Sequence, residues 1–134
     1  MPESTTFKGY RITATYKGDK RAEWDTLNNF NNHRVTVSKS GQRIGFEFWA
    51  SNNSPEVRSP SDLRSAFECF LSDAIAGMQT FEEFCGDFGY DTDSRKAERT
   101  WKACQRAYLK ASHLCGSDEA IYNLARDLQE REAA

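Results

Sequence analysis

The sequence predicts an α+β fold: an N-terminal three-stranded antiparallel sheet within residues 7–50, packed against a C-terminal group of about four helices within residues 59–131. Apolar and polar residues alternate with a period of two in the first half, as a half-buried strand requires. The second half instead carries apolar stripes at helical spacing, each bounded by residues suited to helix ends. Because the two patterns occupy separate runs, a parallel sheet built from alternating strands and helices is excluded. A chain of 134 residues suits one domain, 1–134. Chains of this size bury about two-thirds of their unfolded surface, enough for a core without staples.

The first strand spans Phe7 to Lys17, with Tyr10, Ile12, Ala14 and Tyr16 on one face and Arg11, Thr13, Thr15 and Lys17 on the other. Gly18-Asp19 ends it, and the Asn-rich stretch through Asn32 reads as a loop anchored by Trp24, Leu27 and Phe30. His33–Lys39 and Gln42–Ala50 then flank Ser40-Gly41, a two-residue connection of the kind found in primed hairpin turns. Val35 and Val37 match Ile44, Phe46 and Phe48 as the inward face, which leaves Trp49 on the outer side.

Ser59 caps the first predicted helix, with Pro60 at its first position, and Gly77 stops it. Leu63, Ala66, Phe67, Phe70, Leu71, Ala74 and Ile75 form its stripe. Thr80 and Glu83 make a capping box for a short helix carrying Phe81, Phe84, Cys85 and Phe88, which Gly89 closes. Asp91 or Asp93 starts a long helix with the stripe Ala97, Trp101, Cys104, Tyr108 and Ala111, ended by Gly116. Ser117 opens the last helix, with Ile121, Leu124, Ala125 and Leu128 facing inward.

Eighteen basic and 20 acidic residues leave a net charge of −2, but the charges are sorted along the chain. Residues 1–60 carry +3 and residues 61–134 carry −5. Within the second half an acidic block from Asp62 to Asp93, at −7, abuts a basic block from Arg95 to Lys110, at +5. A mean hydropathy of −0.77 leaves no room for a membrane span. Cys69, Cys85, Cys104 and Cys115 lie 16, 19 and 11 residues apart, with neither His33 nor His113 at ligand spacing. They read as reduced, structural thiols of a cytoplasmic protein, with no metal centre.

Two surfaces stand out. In the long helix Arg95, Arg99, Lys102 and Arg106 each fall two positions before a stripe residue, about 200° around the helix, so the row points outward and suits phosphate contacts. No aromatic residue interleaves it for base stacking. In the acidic block Asp62, Glu83, Asp91 and Asp93 are accounted for by helix starts, whose dipole favours negative charge. Glu68, Asp73, Glu82 and Asp87 have no such role and are candidates, with Trp49 and Asn52, for docking on a basic partner. Asp91-Thr92-Asp93-Ser94 opens like a calcium loop, but Arg95, Lys96 and Lys102 occupy positions five, six and twelve, which excludes an EF-hand. No phosphate loop, catalytic triad order or cofactor motif is present, so an enzyme is not expected.

The segment from Thr80 to Ala97, Thr-Phe-Glu-Glu-Phe-Cys-Gly-Asp-Phe-Gly-Tyr-Asp-Thr-Asp-Ser-Arg-Lys-Ala, resembles a recurrent stretch of small accessory proteins encoded by tailed phages and prophages. Trp101 and Cys104 are similar to an aromatic and a Cys in the helix that follows there, and Val35-Thr36-Val37 with Phe46-Glu47-Phe48-Trp49 is similar to their strands. The resemblance covers most of residues 33–110. It implies a cytoplasmic protein that acts on host machinery, with some such proteins blocking CRISPR or other defence complexes. The expectation is therefore a non-catalytic, anti-CRISPR-like binding protein that occludes a host protein or ribonucleoprotein complex. The alternative is a nucleic-acid-binding regulator using the basic face of residues 93–111. A homodimer through a sheet edge is a further expectation.

Overall fold

A computed structural model describes the backbone of residues 3–19, 31–50 and 60–133, and the side chains of residues 4–15, 34–47 and 62–130. The expected loop anchors Trp24, Leu27 and Phe30, the cap Ser59, residue Asn52 and the side chains of His33 and Trp49 lie outside the described residues. The chain divides into two compact units, Met1–Phe67 and Glu68–Ala134.

Unit one holds a sheet of four strands, where three were expected: β1 (Glu3–Phe7), β2 (Tyr10–Asp19), β3 (Asn31–Lys39) and β4 (Gln42–Ala50). They pair antiparallel in the order β1-β2-β3-β4, so each strand lies beside its neighbour in sequence. The added strand is β1. Phe7 belongs to it and not to the strand that follows, because Lys8-Gly9 forms a tight turn with φ of 48° and 87°. Ser40-Gly41 repeats that geometry at 49° and 85°, the pair of positive values that marks a type I′ turn and matches strand twist. Asn31 and Asn32 extend β3 beyond its expected start.

Phe7, Tyr10, Ile12, Ala14, Val35, Val37, Ile44 and Phe46 are buried on one face of this sheet. Helix α1 (Pro60–Ala76) begins in the same unit, where Leu63, Ala66 and Phe67 are buried. The Phe67 ring meets the Tyr10 ring at 5.7 Å between centroids.

Unit two contains the end of α1 followed by α2 (Phe81–Phe88), α3 (Arg95–Cys115) and α4 (Asp118–Ala133). Thr80 accepts from the Glu83 amide while the Glu83 carboxylate accepts from the Thr80 amide, the reciprocal capping box read from sequence. Gly89 and Gly116 close α2 and α3 in the left-handed conformation. The start of α3 differs from expectation: Ser94 is the cap, accepting from the Ala97 amide at 3.1 Å, and Asp91 and Asp93 precede it. Gly77 follows α1 as expected but for another reason. Its φ is not positive; it is buried against α3, where a Cβ would overlap the Cys104 carbonyl. The Trp101 indole donates to the Gln79 carbonyl at 3.1 Å and packs on Phe81 at 5.4 Å, which fixes the α1–α2 turn on α3.

Candidate functional site

Helix α2 and the turn after it carry the most exposed acidic and aromatic chemistry of unit two. Phe84 and Cys85 point inward and are buried. Phe88 follows Phe84 by one turn and touches its ring at 4.7 Å, yet 57% of its surface faces solvent. Tyr90 also stacks on Phe84, at 5.9 Å, so the Phe88 ring rests on an anchored neighbour although it is itself uncovered. Asp87 on the same helix end, and Asp91 and Asp93 in the following turn, are all exposed.

Two features of this end are locally unfavourable. Asp87 lies in the last turn of α2, where the helix dipole disfavours an anion, and that turn contains no basic residue. An exposed Phe ring forfeits burial worth about 1.5–3 kcal/mol. Gln79, which donates to Asp87, and the Phe84 ring, which meets Phe88, offset part of this cost. The sequence places Phe88 on α2 with Phe81, Phe84 and Cys85 and gives it no role at the surface; the nearest signal is its position immediately after an acid in the last turn.

The other expected acidic contacts are dispersed. Glu68 accepts from Ser72 Oγ at 3.1 Å and from Gln129 Nε2 at 2.9 Å, which ties α1 to α4. Asp73 keeps solvent contact, but surrounding protein strips enough water from its carboxyl to raise it above the ordinary value. Glu82 is exposed at the start of α2, and Asp87 accepts from Gln79 Nε2. Five residues separate Glu82 from Asp87, about 140° around the helix, so they do not share one face. Glu68 and Asp73 thus belong to α1, and Glu82 and Asp87 to different faces of α2.

On α3 the basic row is where the spacing placed it. Arg95, Arg99, Lys102 and Arg106 are exposed, and Ala97, Cys104, Ala107, Ala111 and Leu114 are buried. Lys102 pairs with Glu98 at 2.9 Å. Among the described residues no ion pair engages Arg95, Arg99 or Arg106.

The buried thiols Cys85 and Cys104 are not activated. Burial, then the charge of Asp73, pushes Cys104 up to about 11, and Cys85 is raised by burial with Glu82 and Asp91 adding to the effect. Among the described residues no group of three or more His, Cys, Asp or Glu side chains is placed to hold a metal ion. A groove of about 420 Å³ runs between the Gly77–Gln79 turn and α3 at Gln105, Tyr108 and Leu109, reaching Asp118. Its polar groups are engaged within the chain: Tyr108 donates to Asp118 at 2.7 Å, which raises the phenol, and the Gln79 amide reaches Asp87. Leu109, 66% exposed, is its main apolar feature. No helix among the described residues is long and apolar enough to cross a membrane. No family model, curated protein or solved structure matches the chain.

Proposed function

We propose that this chain is a non-catalytic binding protein of the phage accessory type, which inhibits a host defence complex, in the manner of an anti-CRISPR protein, by occluding a basic surface. The observation that carries the reading is the end of α2: an anchored but uncovered Phe88 ring in a short segment whose Asp87, Asp91 and Asp93 are all exposed. An aromatic anchor inside a charged rim is the usual composition of an energetically dominant contact, and the charge steers approach to a cationic partner. Nucleic-acid-binding effectors offer such surfaces. The Thr80–Ala97 segment that resembles phage proteins contains every residue of this site.

The test is capture of the partner from bacteria carrying defence systems, followed by kinetics with the purified complex. Asp87→Lys combined with Asp91→Lys is expected to slow association at least tenfold at low salt. Phe88→Ala is expected to speed dissociation instead. Unchanged rates in both variants would overturn the reading.

A second reading assigns the protein to nucleic-acid regulation through α3, favoured by the exposure of Arg95, Arg99 and Arg106 without ion pairs among the described residues. It predicts a gel shift of labelled duplex DNA that Arg99→Ser with Arg106→Ser abolishes, and absence of a shift at about 50 mM salt removes it.

A further inference from the structure

The sheet of unit one has a second face with a composition of its own. The strand register sets Thr6, Arg11, Ser38 and Arg43 side by side across all four strands. The next row is Ser4, Thr13, Thr36 and Gly45, and the row beyond it runs through Thr15, Arg34 and Glu47. These positions alternate with the buried Ile12, Val35, Val37, Ile44 and Phe46, so they lie on the opposite face, and all are exposed or half-exposed. The face therefore consists of hydroxyls and three guanidiniums against one carboxylate. Its described residues include no apolar side chain.

Arg34 lies flat along this surface. A Cβ at Gly45 would come within 2.6 Å of Arg34 Nη2, and the same guanidinium reaches Glu47 at 3.4 Å. Glycine at 45 thus lets Arg34 lie across β4, which keeps the middle of the face level. Arg11 and Arg43 stand two strands apart, about 10 Å, with the Ser38 hydroxyl between them. Two arginines at that separation are long enough to approach one oxyanion from opposite sides while the hydroxyl donates from below. Same-face positions recur every ~6.8 Å along each strand, so the rows beneath offer further donors in sequence.

We propose that this outer sheet face binds the phosphodiester backbone of a single-stranded nucleic acid. Phosphate contacts draw on what the face has, Arg with Ser and Thr hydroxyls in a net positive field. The inference rests on unit one alone and is independent of both α2 and α3.

The test is fluorescence anisotropy of the full chain with labelled oligo-dT and oligo-rU of about 20 nucleotides, longer than one small domain usually covers. Binding is expected at about 50 mM salt and is expected to weaken steeply as salt rises. Arg11→Ser with Arg43→Ser is expected to reduce affinity at least tenfold and to lower the salt slope by about 0.7, the share of the one phosphate no longer neutralised. Thr36→Glu, which places a carboxylate in the middle row, is expected to act in the same direction. Unchanged far-ultraviolet circular dichroism and melting midpoints separate these effects from unfolding. Arg126→Ser, on α4, is the comparison and is expected to leave binding intact. No binding at about 50 mM salt, equal affinity in the sheet variants, or loss confined to Arg99→Ser with Arg106→Ser would overturn the proposal.

Discussion

At the scale of single residues, close approach and desolvation decide what is tolerated. The Cβ of an alanine at Gly77 would occupy the space of the Cys104 carbonyl, and backbone on α3 cannot move aside as a flexible side chain can. Gly77→Ala is therefore expected to cost about 1–3 kcal/mol, the usual range for overpacking, measurable by urea denaturation. Asp73 behaves differently. Its carboxyl is raised from an ordinary 3.8, so the fold favours the neutral form. The stability it contributes is complete below 3.8 and is lost as pH rises through the raised value. Asp73→Asn is accordingly expected to melt higher than the parent at pH 7 or so, with the gap closing in acid. A parent that melts higher than the variant at neutral pH would contradict this account. Glu83 has the opposite sign: hydrogen bonds from Thr80 lower its carboxyl from 4.5, so its contribution is lost as pH falls through the lowered value.

At the scale of elements, local chemistry explains which features were legible in the sequence. The capping box of α2 and the glycine closures of α2 and α3 are complete within a few residues, so reading them needed no tertiary knowledge. Thr80→Ala removes one half of that box and is expected to cost about 1 kcal/mol, with Thr80→Ser recovering most of it in the same denaturation assay. The first turn was obscure because Lys8 holds a positive φ that lysine rarely adopts, and Lys-Gly is not the Asn-Gly or Asp-Gly pair that announces such turns. The start of α3 was ambiguous because Asp91, Asp93 and Ser94 are all competent caps, and only backbone geometry selects among them. Phe88 was unreadable for another reason. It shares a helical stripe with Phe84, and whether the end of a stripe is covered depends on what packs there, not on spacing. The basic row of α3 was legible throughout, since two residues along a helix always lead to the opposite side.

At the scale of the whole molecule, the charge pattern follows the two units: Met1–Phe67 carries +3 and Glu68–Ala134 carries −5. The net value of −2 conceals this division. Helix α1 is continuous across the division, with Phe67 as the last residue of unit one. That ring is fully buried and rests on Tyr10, so Phe67→Ala is expected to lower stability by about 3–5 kcal/mol in urea titrations. A much smaller loss would mean that neighbouring side chains refill its site.

The order of the strands also has a kinetic consequence. Both two-residue turns join strands that are adjacent in sequence, so β1-β2 and β3-β4 can each zip from a local nucleus on the microsecond scale of isolated hairpins. Only the β2–β3 ladder requires a longer loop to close, and loop entropy grows slowly with length. The slow event in building this sheet is then the meeting of two preformed hairpins. Substitutions beside the turns, which are formed before that step, should retard folding, whereas those at the Ile12–Val37 and Ala14–Val35 pairs should hasten unfolding to the extent that the ladder completes after it.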